Sequence, residues 1–164
     1  MKNNVIALSK GAKILEVPTI LSSISSQSNG PFLPEITNLF PDQKVIERGD
    51  LTFDSFTNPE VDEAVRKVGR KQLVMSGLWT SICFANTALH GLRSGYDVFG
   101  VMDTAGSESR EAHDMAVQRM IQAGVVPTTW QQVVFEWMKD WANPKAQQLI
   151  KEVYSVHNGF LGLA

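Results

Sequence analysis

The chain has 164 residues, and its 43% hydrophobic content is enough to build one domain with a buried core. The 15 basic and 17 acidic residues give a formal net charge of -2, which argues against a nucleic-acid-binding stripe and against a polybasic lipid-binding patch. A single cysteine excludes an internal disulfide, and no apolar run reaches the ~20 residues of a membrane span. We therefore expect one soluble domain over 1–164, located in the reducing cytoplasm.

The first third of the chain predicts a helix, a long loop and a strand. Apolar residues recur at helical spacing over 4–16, and Pro18 ends that pattern. The stretch 22–30 is rich in Ser, Asn and Gly, and Pro34 then begins a short helical turn. Residues 45–48 read as the end of a strand, so strands and helices begin to alternate at this point.

The remainder of the chain continues this alternation. Helices are predicted after Asn58, over 81–93, after Ser109, over 130–141 and from Pro144 to Tyr154, and strands over 73–75, 98–102 and 125–126. Short apolar strands between helices predict an α/β fold with a parallel sheet covered on both faces. Ligands of such folds bind at the carboxyl ends of the strands, so the residues just after each strand are the functional candidates.

Cys83 lies in the first turn of the helix that follows strand 73–75. The positive end of a helix would stabilise a thiolate there, and free backbone N–H groups at the same place would hold a developing oxyanion. This position suits the nucleophile of an acyl-transfer reaction. The alternative is that Cys83 is a small hydrophobic residue packed among Ile82, Phe84 and Ala85. Position alone leaves both interpretations open.

Charged residues follow two other strands. Arg48 and Asp50 come after strand 45–48, where the cation would stabilise a thiolate or an anionic substrate and the carboxylate would act as a base. Either residue is equally compatible with a solvated surface position. Asp103 ends strand 98–102, and we expect it to fix the following loop by accepting N–H groups.

The three histidines do not predict a catalytic or metal-binding constellation. His90 is two helical turns beyond Cys83, about 10 Å along the axis, which is too far for a Cys–His pair. His113 is expected to pack or to cap its helix, and His157 lies in the tail. No spacing of potential ligands suggests a metal site.

Five segments of the chain, in order, resemble the isochorismatase-like cysteine hydrolases, and most closely their YcaC-like subgroup. They are NGPFLPEITNLFPD at 29–42, VIERG at 45–49, GRKQLVMSGLWTSIC at 69–83, GYDVFGVMDTAG at 95–106 and EAHDMAVQRMIQAGVVPTTW at 111–130. The resemblance implies a Rossmann-like parallel sheet with helices on both faces. It also implies hydrolysis of amide-type C–N bonds in a small-molecule substrate, through an acyl-enzyme and without a metal or other cofactor.

The resemblance also assigns roles to individual residues. Cys83 matches the nucleophile of the family's Asp, Lys-or-Arg, Cys triad, and Arg48 matches the position where the YcaC-like subgroup carries arginine. A non-proline cis peptide, expected at Trp79–Thr80, would direct the backbone N–H groups of Trp79, Thr80 and Cys83 towards the oxyanion. Relatives in the subgroup form rings, so the resemblance implies a homo-oligomer, tetrameric or octameric.

One part of the family pattern has no counterpart in this chain. The family's catalytic aspartate closes a strand that precedes its first helix, and Met1 aligns within that helix. The resemblance thus implies an N-terminally incomplete domain without its first strand, and impaired activity. Asp50 or Asp54 would replace the aspartate only if one of them lay within about 3 Å of the thiol.

Two explanations remain open for this departure. The chain is either a fragment of an ordinary hydrolase or a shortened, catalytically inactive relative kept for assembly or binding. The second explanation would use aromatic residues such as Phe135, Trp137 and Trp141 at an interface, whereas the simpler interpretation of these residues is core packing.

Overall fold

The structure, a computed structural model, describes residues 1–49 and 52–158 and consists of short parallel strands covered by helices. In chain order the elements are α1 (Lys2–Ile14), β1 (Ser22–Ser23), α2 (Ser26–Asn29), α3 (Pro34–Thr37), β2 (Ile46–Glu47), a 3₁₀ turn (Ser55–Thr57), α4 (Pro59–Val68), β3 (Gln72–Met75), a π-helical turn (Thr80–Phe84), α5 (Ala85–Arg93), β4 (Asp97–Val101), a 3₁₀ turn (Met102–Thr104), α6 (Arg110–Ala123), β5 (Val126–Thr128), α7 (Trp130–Met138), α8 (Ala146–Leu149), a second π-helical turn (Ile150–Tyr154) and α9 (Ser155–His157).

All strand pairs are parallel, which confirms the predicted α/β class. Strand β1 pairs with β2, with Ser22 opposite Ile46. Strand β4 lies between β3 and β5, with Leu73 opposite Val98 and Phe99 opposite Val126. Among the described residues no pairing joins the two-stranded sheet to the three-stranded one, so β1 and β3 are each paired on one side only.

The helix boundaries follow ordinary capping chemistry. The Asn58 side chain accepts hydrogen bonds from the N–H groups of Glu60 and Val61, Pro59 occupies the first position of α4, and Gly69 ends the helix at a φ of 69°. Helix α6 begins in the same way, because the Ser109 hydroxyl accepts a hydrogen bond from the N–H of Ala112. These side chains are the reason why both helices begin where the sequence predicts.

Hydrophobic clusters cover both faces of the central strand β4. Val98 packs with Phe84, Ala88 and Met120, which come from the turn before α5, from α5 and from α6. Val101 lies in another cluster, with Ala7, Leu8, Val133, Val134, Met138, Leu149 and Tyr154. Side chains alternate between the faces of a strand, so β4 contributes to the core on both sides. This packing fixes the carboxyl ends of β3 and β4, where the candidate site lies.

The end of α7 and the segment 22–30 differ from the sequence prediction. Helix α7 ends at Met138 and not at Trp141, because Lys139 adopts a φ of 71°. Trp141 therefore does not face inward as predicted but is 61% exposed, while Phe135 and Trp137 pack against the core. The loop predicted over 22–30 contains β1 and α2.

None of the described helices is long and apolar enough to cross a bilayer.

Candidate functional site

The turn between β3 and α5 carries Cys83. Residues Thr80 to Phe84 form a π-helical turn, in which the N–H of Phe84 donates to the carbonyl of Trp79 at 3.2 Å, and α5 continues from Ala85. Cys83 thus lies in a π turn directly before α5, whereas the sequence predicted the first turn of an α-helix. Single π turns inside helices are frequent at functional sites.

The cis peptide bond lies at Leu78–Trp79, one residue earlier than the predicted Trp79–Thr80. A non-proline cis bond has no chemical marker in the sequence, so its place could be set only by counting along the resemblance. That count was wrong by one residue. The peptide N–H next to the cis bond is therefore that of Trp79.

The backbone N–H groups of this turn differ in whether they donate to a group outside it. Thr80 donates to the Gly106 carbonyl at 2.8 Å, and Ser81 donates to Ser107 Oγ at 2.9 Å. Among the described residues neither Trp79 nor Cys83 donates its N–H to a group outside the turn. Of the three donors assigned to an oxyanion hole, Thr80 already has an acceptor at Gly106, whereas Trp79 and Cys83 have none outside the turn.

Cys83 is half-buried, and its thiol has no hydrogen-bond partner in the part of the chain that the structure describes. Its neighbours Phe84 and Ala85 belong to the core cluster against β4. Cys83 is outside that cluster, and Ile82 beside it is 37% exposed. Cys83 is therefore only partly shielded from solvent, whereas its two C-terminal neighbours are buried.

Arg48 follows β2, and its N–H donates to the carbonyl of Ser23 at 2.8 Å. Its Nε and Nη1 atoms are buried and have no hydrogen-bond partner among the described residues. Arg48 as a whole is half-buried, so these two nitrogens, and not the entire guanidinium, lack both solvent contact and a described partner. Arg48 and Cys83 are not hydrogen-bonded to each other.

Of the two candidate bases, only Asp54 belongs to the described residues, and its carboxylate contacts groups other than the thiol. Asp50 lies outside the described residues. Asp54 is committed elsewhere, since Oδ2 is 2.7 Å from His90 Nδ1 and Oδ1 accepts a hydrogen bond from the N–H of Phe56 at 3.0 Å. This contact also accounts for His90, which was predicted not to pair with Cys83.

Asp103 has the loop-fixing role that the sequence predicts. Its Oδ1 accepts a hydrogen bond from the N–H of Trp130 at 2.9 Å, and its Oδ2 accepts one from Asn4 Nδ2 at 3.3 Å. Burial raises the pKa of the Asp103 carboxyl, and these hydrogen bonds oppose that rise. The carboxylate therefore joins α1, the loop after β4 and the start of α7.

Sequence reasoning missed the segment that holds the Cys83 turn. His113 Nδ1 is 2.9 Å from Thr80 Oγ1, and Glu108 Oε2 accepts a hydrogen bond from the Ser81 hydroxyl at 3.0 Å. The sequence predicts that the loop after β4 belongs to the functional region, but no spacing rule connects two residues that lie 33 positions apart. For His113 it predicts only packing or capping.

The surface next to the turn is apolar. A cleft of about 290 Å³ lies between α5 and α6. Its lining consists of Ser81, Ala85, Ala112, Met115, Ala116 and Arg119. Leu78, Trp79 and Met115 are each about half exposed, at 50%, 47% and 58%. Among the described residues no group of three His, Cys, Asp or Glu side chains is placed to hold a metal ion.

Comparison with known proteins identifies the family. A model described as the Isochorismatase domain matches residues 1–132. The probable hydrolase YcaC of Escherichia coli is 38% identical over 143 residues, which are 87% of this chain and 68% of that protein. The secreted isochorismatase effector Isc1 of Phytophthora sojae is 30% identical over 154 residues, covering 91% of this chain and 73% of that protein.

Two solved structures share the fold closely. The crystal structure of Escherichia coli YcaC, described as an octameric hydrolase of unknown specificity, has a TM-score of 0.92 and 35% identity and covers 98% of this chain and 78% of its own. YcaC from Pseudomonas aeruginosa, solved with covalent acrylamide, has the same TM-score and 32% identity, and the match covers 98% of this chain and 79% of that chain. The chain therefore belongs to the isochorismatase family of hydrolases and resembles its YcaC-like subgroup.

Proposed function

We propose that this chain is a cysteine hydrolase that cleaves an amide-type C–N bond of a small molecule through an acyl-enzyme on Cys83. The observation that supports the proposal most directly is that neither Trp79 nor Cys83 donates its N–H to a described group outside the turn, and that the half-buried thiol lies in the same turn. Free backbone donors beside a nucleophile are what acyl transfer needs, since negative charge develops on the carbonyl oxygen.

The proposed reaction has two halves. Cys83 Sγ attacks the carbonyl carbon, the oxyanion accepts hydrogen bonds from the N–H groups of Trp79 and Cys83, and the C–N bond breaks as the amine leaves with the proton lost by the thiol. Water then attacks the thioester, which releases the acid and returns the thiol. The Arg48 guanidinium, whose Nε and Nη1 are buried with no partner among the described residues, would stabilise the thiolate or a substrate anion.

The activity of this chain is expected to be impaired, because no described carboxylate contacts the thiol and could accept its proton. Deprotonation then depends on solvent, so we expect slow acylation by unactivated amides and faster acylation by activated esters, whose leaving groups need no proton. The free thiol suits a reducing compartment, and we propose a cytoplasmic location.

Intact-mass spectrometry tests the assignment. The folded chain is incubated with acrylamide, with p-nitrophenyl esters and with small amides, and the modified residue is mapped by peptide sequencing. We expect adducts on Cys83 at a higher rate than in the urea-denatured chain, and none in Cys83→Ala. A folded chain that forms no adduct with any of these electrophiles, or reacts only as fast as the denatured chain, contradicts the proposal.

We also propose that the chain forms a homo-oligomer. The E. coli relative is octameric in its crystal structure. In this chain the exposed apolar side chains Leu78, Trp79, Ile82 and Met115 occur on the Cys83 turn and on α6 next to it. Such a concentration of exposed apolar surface is typical of a protein interface. An assembly without hydrolase activity is the second candidate function, and the adduct experiment separates it from the first.

A further inference from the structure

The turn that carries Cys83 is held against the segment 106–113 by a set of hydrogen bonds. The N–H of Thr80 donates to the Gly106 carbonyl at 2.8 Å, and the N–H of Ser81 donates to Ser107 Oγ at 2.9 Å. Leu78 forms an isolated parallel bridge with Gly106. These contacts involve three of the four residues from Leu78 to Ser81, so they restrict the orientation of the peptide groups just before Cys83.

These contacts also determine which donors are engaged outside the turn. Since Thr80 and Ser81 direct their N–H groups at the 106–107 loop, the N–H groups of Trp79 and Cys83 are the ones that no described group outside the turn engages. A rotation of the turn would change that division. The oxyanion donors of the proposed reaction therefore depend on residues that never touch the substrate.

Thr80 is the most deeply buried member of the turn. Its side chain is fully buried, at 0% exposure, and the hydroxyl has one hydrogen-bond partner among the described residues, His113 Nδ1 at 2.9 Å. A buried hydroxyl without a hydrogen-bond partner destabilises the folded state. A rotation of the Thr80 segment towards solvent would relieve this cost. The imidazole thus holds the Thr80 side chain, and together with the bonds to Gly106 and Ser107 it keeps the neighbouring peptide groups in place.

His113 is itself held rigidly. It lies in the first turn of α6, where its N–H donates to the Ser109 carbonyl at 3.1 Å, and α6 is anchored in the core through Ala116 and Met120. We propose that His113 is a positioning residue for acyl transfer at Cys83. Through its contact with Thr80 it holds the N–H groups of Trp79 and Cys83 where the oxyanion forms. This inference rests on the proposed function of Cys83.

Two reactions of the same thiol distinguish positioning from a merely structural role. In alkylation by iodoacetamide, Sγ bonds to the methylene carbon and iodide leaves, so no charge develops on a carbonyl oxygen. In acylation by p-nitrophenyl acetate, Sγ bonds to the carbonyl carbon, an oxyanion forms, and p-nitrophenolate leaves. The ratio of the acylation rate to the alkylation rate therefore reports the oxyanion donors and cancels changes in thiol exposure or ionisation.

The variants are His113→Leu, which removes the polar atom, and His113→Asn, which keeps one near the position of Nδ1. Thr80→Val and Thr80→Ser repeat the comparison from the other side of the contact. His90→Leu is the matched control, because His90 is also half-buried and hydrogen-bonded through Nδ1, but to Asp54 and not to the turn. Folding of each variant is checked by circular dichroism and thermal unfolding.

We expect the rate ratio to fall about tenfold or more in His113→Leu and Thr80→Val, since small displacements of oxyanion donors are costly. The double variant His113→Leu with Thr80→Val should have a rate ratio no lower than that of either single variant. His113→Asn and Thr80→Ser should recover much of the lost ratio, and His90→Leu should keep the wild-type ratio. A wild-type ratio in His113→Leu overturns the role of His113 while leaving the function of Cys83 intact. A wild-type chain that neither alkylates nor acylates overturns both.

Discussion

At the scale of single residues, the sequence predicts a reactive centre but not the contacts that support its turn. Cys83 and Arg48 are predicted site residues because each follows a strand within a recognisable segment, and both assignments stay predictions. His113 was not found, because its contact with Thr80 joins residues 33 positions apart through tertiary packing. The cis bond was placed one residue late because the sequence carries no marker for it.

The buried Nε and Nη1 atoms of Arg48, which have no described partner, lead to a prediction about both the stability and the activity of the chain. Arg48→Met replaces a cation with buried, unpartnered Nε and Nη1 atoms by an apolar side chain of similar length. We expect the free energy of unfolding in urea to rise by about 1–3 kcal/mol, because two buried nitrogens without a described partner are removed, while acylation of Cys83 becomes slower.

Two variants serve as controls for Arg48. Arg70→Met, at an exposed arginine, should change the free energy of unfolding by less than about 0.5 kcal/mol. Arg48→Lys keeps the positive charge and should retain more of the acylation rate than Arg48→Met. If Arg48→Met unfolds more easily than the wild type, the guanidinium has an anionic partner in solution and our account of its burial is wrong.

At the scale of helices and strands, boundaries marked by side-chain chemistry were predictable and others were not. The starts of α4 and α6 follow from Asn58 with Pro59 and from Ser109. The end of α7 does not follow from the sequence, because Lys139 adopts a positive φ. A glycine or an asparagine would have indicated such a conformation, but a lysine does not. Trp141 was consequently assigned to the core and is exposed.

Asp103 connects three elements and makes their stability depend on pH. Its pKa is raised by burial, so the folded chain binds a proton there more tightly than the unfolded chain does, whose carboxyl has an ordinary pKa near 3.9. The resulting stabilisation is fully present below that ordinary pKa and is lost as the pH rises through the raised value. Asp103→Asn keeps an oxygen that can accept the Trp130 N–H but does not titrate.

The corresponding measurement is urea unfolding of the wild type and Asp103→Asn between about pH 3 and pH 7. We expect the difference in unfolding free energy to favour the wild type most at the acidic end and to shift towards Asp103→Asn as the pH rises. Asp103→Ala removes the acceptor as well, and so reports the hydrogen bonds to Trp130 and Asn4 separately. A difference that shifts towards the wild type with rising pH would show that the pKa is lowered instead.

At the scale of the whole molecule, the alternation of strands and helices was enough to predict a parallel α/β architecture. Periodicity does not say which strands become neighbours, so the separation into sheets of two and three strands was not predictable from the strand pattern. Nor does a hydrophobic pattern show which apolar residues remain at the surface, and Leu78, Trp79 and Met115 became visible only in the folded chain.

Those exposed residues make the assembly state testable. We expect size-exclusion chromatography with light scattering to give a mass several times that of one chain, and Met115→Glu to lower it, because a charge would be buried in the apolar interface. Ile121→Glu is the control, since Ile121 is 44% exposed on another face of α6 and should leave the mass unchanged. A wild-type chain that is monomeric at all concentrations contradicts the proposed homo-oligomer.

The division of the sheet also affects how the chain behaves in solution. One continuous sheet has two outer edges, whereas two separate sheets have four, and in the described part of the chain the outer strands are β1, β2, β3 and β5. An open edge presents main-chain donors and acceptors to any extended polypeptide. We therefore expect strand addition to offer a second route to self-association, which would be driven by backbone hydrogen bonds and would not depend on Met115.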